Sequence, residues 1–528
     1  MPTLYESILK FENSSLSALY YENKTITYKK LIENIKKLVS YLRDKGIKSG
    51  DVVTTVLPNL PITIYLFYAL NAIGAIQNII YPLTPIDQIM DSLKRTSSNH
   101  CIMLLTEFES HKDLFINAKT NFYFVNPMHD NSFILRHLIF FKYKAPKNYP
   151  NLFLIDKFRS YQPATDIKNH DPSLGSIYLH SGGTTSTPKI IVLSDDSINN
   201  LAMKVDGIIN HPLQGKSMLA VLPTFHGFGL GMGIHAPLAN GASSALMMRF
   251  NSQKVIKWIN QGKINFIIGV PELYRKLMND PGFINSKLTN LEYSFVGGDN
   301  VHQSLIDNFN QLMIEHQSTN RLLEGYGLTE TVTVCTVNTK EHFKKASVGQ
   351  PLRDIELRIY DDNMNLLKNG EVGEVYISGN TLMNSYLDDE VSTNNTKINI
   401  DNRIFIKTGD LGYLDDDGFL FLKGRKKRMF IISGFNVYPG EVEKIVTEID
   451  GVQSASLECF ETPKIHLNLY IIKNRNYNKS EQELSSIITQ TLKNKLLKYS
   501  LPSKIIFLDE FPKTKVGKID HKKFVDDK

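Results

Sequence analysis

The chain has 528 residues, 42% of them hydrophobic, which is more apolar side chain than one core usually buries, so two or more domains are expected. Its 60 basic and 54 acidic residues leave a net charge of +6, too diffuse over this length to point to nucleic acid; a solvated lysine-rich surface accounts for it. Cys101, Cys335 and Cys459 stand far apart with no C-x-x-C spacing, which argues against a disulfide framework and fits a reducing cytoplasm.

Met1–Glu6 shows no basic segment followed by an apolar stretch, so no signal peptide is expected. Over residues 29–46, Leu31, Ile32, Ile35, Leu38, Val39 and Leu42 recur at helical spacing, with Gly46 as the stop. Val52–Val56 reads as a buried strand before Pro58, residues 62–73 as a helix, and Ala75–Ile80 as a further strand. This alternation predicts parallel α/β layers, and Ile264–Val270 and Tyr293–Val296 repeat it. Phe133–Phe141 is too short to span a bilayer and carries Arg136 and His137, so no transmembrane segment is expected. Around it, residues 126–144 mix apolar and basic side chains, which suits peripheral membrane contact, a dimer contact or, more commonly, a plain surface insertion.

After residue 345 the texture changes. Glu371–Ser378 and Phe419–Leu422 read as short strands of an antiparallel region, and the Asn-rich residues 393–401 as a surface loop. The basic cluster Lys423–Arg428 follows Asp415-Asp416-Asp417-Gly418 and suggests a domain boundary. The last hundred residues alternate again and predict a small α+β domain.

Ser181-Gly182-Gly183-Thr184-Thr185-Ser186-Thr187-Pro188-Lys189 is the most informative segment. It lies between the apolar runs Ile177–Leu179 and Ile190–Leu193, as strand, hydroxyl-rich turn, strand. Glycines admit an anion close to the backbone, hydroxyls add donors and Lys189 adds charge, a combination suited to a polyphosphate. It is not a Walker loop: no glycine precedes the lysine and a strand follows it. On its own such a tract is as often an ordinary flexible loop.

Further motifs remove that ambiguity. Leu222–Leu230 (LPTFHGFGL), Gly297-Gly298-Asp299, Glu324–Glu330 (EGYGLTE), Thr408–Gly412 (TGDLG), Gly424–Arg428 with Gly434–Glu441, and Phe511–Ile519 (FPKTKVGKI) follow in order. With Ser181–Lys189 they resemble the adenylate-forming, AMP-binding superfamily, in its acyl-CoA synthetase or acid–thiol ligase branch, from about residue 20 to the end. Each motif alone is weak to moderate; joint occurrence in this order is hard to produce by chance.

The resemblance implies an α/β fold: a large N-terminal domain, residues 1–423, of layered α/β subdomains plus a distorted β-barrel, and a small mobile C-terminal α+β domain, residues 424–528. It implies that Ser181, Thr184, Thr185, Ser186 and Lys189 cradle the leaving phosphates of ATP. Gly298 and Asp299 would line the adenine, Glu324 and Gly325 would lie in the nucleotide motif, and Tyr326 would stack on the ring. Thr329 would donate to the α-phosphate, Glu330 hold Mg²⁺, Asp410 accept the ribose hydroxyls, and Arg425 reach the ribose. Lys518 would be the catalytic ammonium, bridging the attacking carboxylate and the α-phosphate when the small domain closes.

Gly297, His226 and Phe228 are the candidates for the acid pocket, with Phe225, Leu230 and Met232 as apolar neighbours. The amino-acid-activating relatives carry an Asp near position 226; its absence leaves a substrate ammonium unpaired and favours a plain fatty or aryl acid. His226 is equally well read as a packed core histidine. Arg428 replaces the acidic hinge residue of many relatives, and for Lys427 and Arg428 a solvated basic face is a competing reading. The expected cofactors are ATP, Mg²⁺ and coenzyme A. A carrier-protein phosphopantetheine thiol is the alternative acceptor, and a catalytically inactive nucleotide- or acyl-binding protein the alternative from another class. Glu330, Asp410 and Lys518 argue against the latter.

Overall fold

The computed structural model describes residues 1–128, 149–181, 188–432, 435–460, 465–475, 477–513 and 519–524. Residues 126–144 therefore lie mostly outside the described residues, as do Thr184, Thr185, Ser186 and Lys518.

The amphipathic helix predicted over 29–46 spans Tyr28–Asp44, capped by the Thr27 hydroxyl, with Leu31, Ile32, Ile35, Leu38, Val39 and Leu42 all buried. Pro61–Ile73 is buried on every side, which is why its sequence is apolar all round rather than striped. It starts on Pro61 at the first turn and stops at Gly74 in the left-handed conformation.

Two large sheets organise the N-terminal part. The central strands of one run, in spatial order, Leu322–Gly327, Tyr293–Val296, Phe266–Gly269, Ser217–Ala220, Ser243–Leu246 and Ser17–Tyr21, all parallel. In the other, Gly175–His180, Ile76–Ile79, Val52–Val56, His100–Leu104, Asn121–Val125 and Leu152–Leu154 are parallel. Ile190–Ser194 and Ser385–Tyr386 close its edge antiparallel. Parallel strands packed on both faces read as continuous apolar runs, as Phe266–Gly269 does. One apolar cluster joins the two sheets through the Tyr28–Asp44 and Pro61–Ile73 helices.

The antiparallel region after 345 is a five-stranded sheet of Ile355–Tyr360, Gly373–Gly379, Arg403–Leu414, Lys397–Ile400 and Leu420–Arg425. Here one expectation fails. The Asn-rich residues 393–401 hold the end of a helix, Glu390–Thr396, and the strand Lys397–Ile400. Asp389 starts the helix by accepting from the Ser392 amide, and Ile398 and Ile400 pack on Phe405, so capping and packing outweigh polar composition.

The C-terminal part has its own core. Val442, Val446, Leu457, Leu469, Leu484, Ile488 and Leu492 pack helices Pro439–Thr447 and Glu481–Lys495 on a three-stranded sheet. Among the described residues no helix is long and apolar enough to cross a membrane.

Candidate active site

Several of the predicted residues lie at the carboxyl ends of parallel strands, where open α/β sheets bind ligands, while Asp410 and Arg425 come from the antiparallel five-stranded sheet. Ser181 follows Gly175–His180, Gly297 follows Tyr293–Val296, and Glu324–Glu330 forms the end of Leu322–Gly327 and the turn beyond it. The segment Leu222–Leu230 follows Ser217–Ala220.

Ser181 and Lys189 close the neck of a hairpin: the Ser181 amide donates to the Lys189 carbonyl at 2.9 Å, and the Lys189 amide to Ser181 Oγ at 3.0 Å. Arg95 holds the exit by donating to the Pro188 carbonyl at 3.1 Å. The two flanking strands are thus as the sequence predicts; residues 182–187 between them lie outside the described residues. The Lys189 ammonium lies over the Tyr386 ring, 4.5 Å from its centroid. The Tyr386 hydroxyl donates to Glu330 Oε1 at 2.9 Å.

At the other end of the crevice, the Tyr326 hydroxyl donates to Asp410 Oδ2 at 2.5 Å and Arg425 Nε pairs with Asp410 Oδ1 at 2.8 Å. Arg425 also donates to the Thr408 carbonyl, while the Thr408 hydroxyl accepts from the Asp410 amide. Burial raises the Asp410 pKa above the usual carboxylate value; Arg425 and the Tyr326 hydroxyl offset this in part, and Glu330 and Glu374 add repulsion. Tyr326 and Glu330 stand on the same segment, Glu324–Glu330, which joins the two ends.

Gly297 is buried; a Cβ there would meet the Gly325 carbonyl at 2.7 Å, so the adenine-wall turn and the nucleotide strand need this glycine to approach. Gly298 and Asp299 are exposed beyond it, the Asp299 carboxylate accepting from the Asn300 amide. Glu324 is half-buried, and burial lifts its pKa to about 7 against the opposing charge of Lys444 in the C-terminal part. Thr329 begins a short 3-10 turn that ends at Val332, whose φ of 66° is strained for a β-branched residue. The Val332 carbonyl occupies the space above Gly227, where a Cβ would meet it at 1.7 Å. The turn carrying Thr329 and Glu330 is thus locked onto the segment carrying His226 and Phe228.

The Phe225 and His226 rings lie tilted to each other with centroids 4.4 Å apart, Tyr81 lies beside Phe225 at 4.7 Å, and Phe228 opens a π-helix, Phe228–His235. Leu230 and Met232, expected as pocket neighbours, are buried in the main core. Phe225, His226 and Phe228 are half-buried, the two phenylalanines packing against the same core. Arg428 is not on a solvated face: it pairs with Glu443 at 2.7 Å and donates to the Leu457 carbonyl at 3.2 Å. Tyr386 was not among the sequence candidates. Its tract, Ser385-Tyr386-Leu387-Asp388-Asp389, has no Gly-rich or hydroxyl-rich signature; only pairing with Ile190–Ser194 brings it in. An open groove of about 910 Å³ on the five-stranded sheet, beside Glu356 and Arg403, holds none of these residues.

The model of the AMP-binding enzyme family matches residues 12–387, and the chain belongs to that family. It is 26% identical to a long-chain-fatty-acid–CoA ligase of Yersinia pestis, over 98% of this chain and 94% of the relative. It is 25% identical to 4-coumarate–CoA ligase 2 of Nicotiana tabacum, over 98% and 92%. Its fold is that of ATP-bound MatB from Rhodopseudomonas palustris, with a TM-score of 0.84 at 18% identity over 99% of this chain and 98% of the other. It is also that of o-succinylbenzoate CoA synthetase from Bacillus subtilis with its acyl-adenylate intermediate, with a TM-score of 0.81 at 20% identity over 100% and 99%.

Proposed function

We propose that the chain activates a fatty or aryl carboxylic acid with ATP and passes the acyl group to the thiol of coenzyme A. The observation that carries this is that one segment, Glu324–Glu330, bears both the Tyr326–Asp410–Arg425 contacts and the Glu330–Tyr386–Lys189 contacts, and that the turn after it packs on Gly227 between His226 and Phe228. In the first half-reaction a carboxylate oxygen bonds to the α-phosphorus as the bond to the β-phosphate oxygen breaks, giving acyl-AMP and pyrophosphate. In the second, a thiol sulfur bonds to the acyl carbon, AMP leaves, and the thiol proton passes to solvent.

Asp410 would take the ribose hydroxyls on lone pairs that Tyr326 and Arg425 leave open, since a carboxylate accepts at about four sites. The Tyr326 ring would stack on adenine against Gly297, Gly298 and Asp299. Thr329, whose hydroxyl engages no described residue, would donate to the α-phosphate. Lys189, with Ser181, Thr184, Thr185 and Ser186, would hold the leaving phosphates. At the phosphate end Glu330 has no cationic partner among the described residues, and no cluster of three or more metal-ligating side chains is found among them. One carboxylate completed by phosphate oxygens is a donor set that suits Mg²⁺, so Glu330 would hold it. When bound, Mg²⁺ would offset phosphate charge. Lys518 would bring an ammonium to the meeting anions, and residues 424–528 would move as a unit to deliver it.

Substituting Lys518→Ala tests the role of the last domain. Acyl-adenylate formation should fall by about a hundredfold or more, with ATP affinity in calorimetry nearly unchanged. Equal loss of both would remove Lys518 from the reaction. Competition between coenzyme A and a phosphopantetheinylated carrier protein for the preformed adenylate tests the acceptor; preference for the carrier would contradict the assignment to coenzyme A.

A further inference from the structure

Tyr386 lies between the two opposite charges of the phosphate end, and neither the motifs nor the family resemblance drew attention to it. Its side chain is 6% exposed. One face of the ring carries the Lys189 ammonium at 4.5 Å from the centroid, while the hydroxyl at the rim donates to Glu330 Oε1 at 2.9 Å. Lys189 and Glu330 form no ion pair with each other, although both reach the same ring.

The tyrosine is held by the elements that carry its two neighbours. Tyr386 pairs with Ile191 on the strand that follows Lys189, and the flanking Asn384 and Leu387 amides donate to Val192 and Ile190. The Met383 amide donates to the Glu330 carbonyl at 2.8 Å, fixing the same segment to the other charge. The Tyr386 amide is taken by Thr393 Oγ1 at 2.9 Å, and the half-buried Lys397 ammonium caps the Met383 and Asn384 carbonyls.

We propose that Tyr386 is a positioning residue that keeps Lys189 and Glu330 apart, leaving Lys189 free for the leaving phosphates and one Glu330 oxygen free for a divalent cation. This rests on the reading of the site given above. Opposite charges at the mouth of a half-buried crevice attract strongly if nothing intervenes. Closed on each other, they would neutralise the groups that phosphate and cation require. The phenol satisfies Glu330 without supplying a positive charge, and the ring face supports the ammonium without supplying a negative one.

The test is equilibrium binding by the full chain, with Mn²⁺ as a spectroscopic probe. Calorimetry gives affinities for AMP, for ATP and for metal-free tripolyphosphate; electron paramagnetic resonance gives the Mn²⁺ concentration that half-saturates the ATP complex. Tyr386→Phe keeps the ring and removes the hydroxyl. It should raise that Mn²⁺ concentration about fivefold and leave AMP affinity unchanged. In a Glu330→Gln background the same change should add nothing, since the group it acts through is gone. Tyr386→Leu removes the ring as well and should also weaken tripolyphosphate binding, about threefold. Wild-type protein with cation-dependent ATP binding and a Phe variant of identical Mn²⁺ response would overturn the inference alone. So would a Phe variant that loses AMP affinity to the same degree, which marks a general structural role. Wild-type ATP binding indifferent to divalent cation would overturn the reading of Glu330 and this inference together.

Discussion

Asp410 and Glu330, two carboxylates of the candidate site, are kept under opposite conditions. Asp410 is 6% exposed, with Arg425 on one oxygen and the Tyr326 hydroxyl on the other. Glu330 is half-buried, has one oxygen held by a neutral phenol, and shares the Tyr386 ring with the Lys189 ammonium without pairing with it. A carboxylate that accepts neutral hydroxyls can be paired beforehand, because pairing keeps it ionised in a dry site. A carboxylate meant for a cation loses its use if a lysine reaches it first.

The comparison breaks most readily at Asp410. Asp410→Ala should weaken AMP and ATP alike, by about 2 kcal/mol or roughly thirtyfold, as measured by calorimetry. A loss confined to ATP would place Asp410 with the phosphates. Tyr326→Phe sharpens the comparison more gently: it removes one donor from a buried charge, and AMP affinity should fall by about 1 kcal/mol, roughly fivefold. The cation dependence of ATP binding should not move.

The smallest effect concerns how the C-terminal part sits beside this site. The Thr447 hydroxyl pairs with His302 Nδ1 at 2.8 Å. Burial, with Arg275 and Lys444 adding repulsion, holds the His302 pKa at about 4. The docked state therefore favours neutral imidazole. Its contribution is complete above the ordinary histidine value of 6.5 and is lost as pH falls from there towards 4. Hydrogen-exchange protection of the Pro439–Thr447 helix should decline over that window in the wild type, and the decline should flatten in His302→Gln. An unchanged slope would remove His302 from the docking contact.

Much of the layered fold was legible because its strands are short apolar runs and its helices carry regular stripes. The buried face of Tyr28–Asp44 could be read residue by residue. The misread stretch, 393–401, shows the limit: a polar tract becomes helix and strand when a capping aspartate and a nearby aromatic cluster provide partners from elsewhere in the chain. Among the residues that motifs can flag, Tyr326, Asp410 and Arg425 do come into contact. What the sequence could not carry is tertiary. Nothing local to Tyr386 announces that it spans two charges, and nothing local to Gly227 announces that the Val332 carbonyl occupies the place of its missing side chain. The apolar period around Leu230 and Met232 was also ambiguous, because a π-helix turns its side chains through a different angle from an α-helix.

The most direct test of the central claim is ATP–pyrophosphate exchange by the purified chain across a panel of fatty, aryl and amino acids. The account predicts exchange that requires a plain fatty or aryl carboxylic acid and is absent without one. No exchange with any acid of the panel, in a protein that still binds ATP, would contradict it.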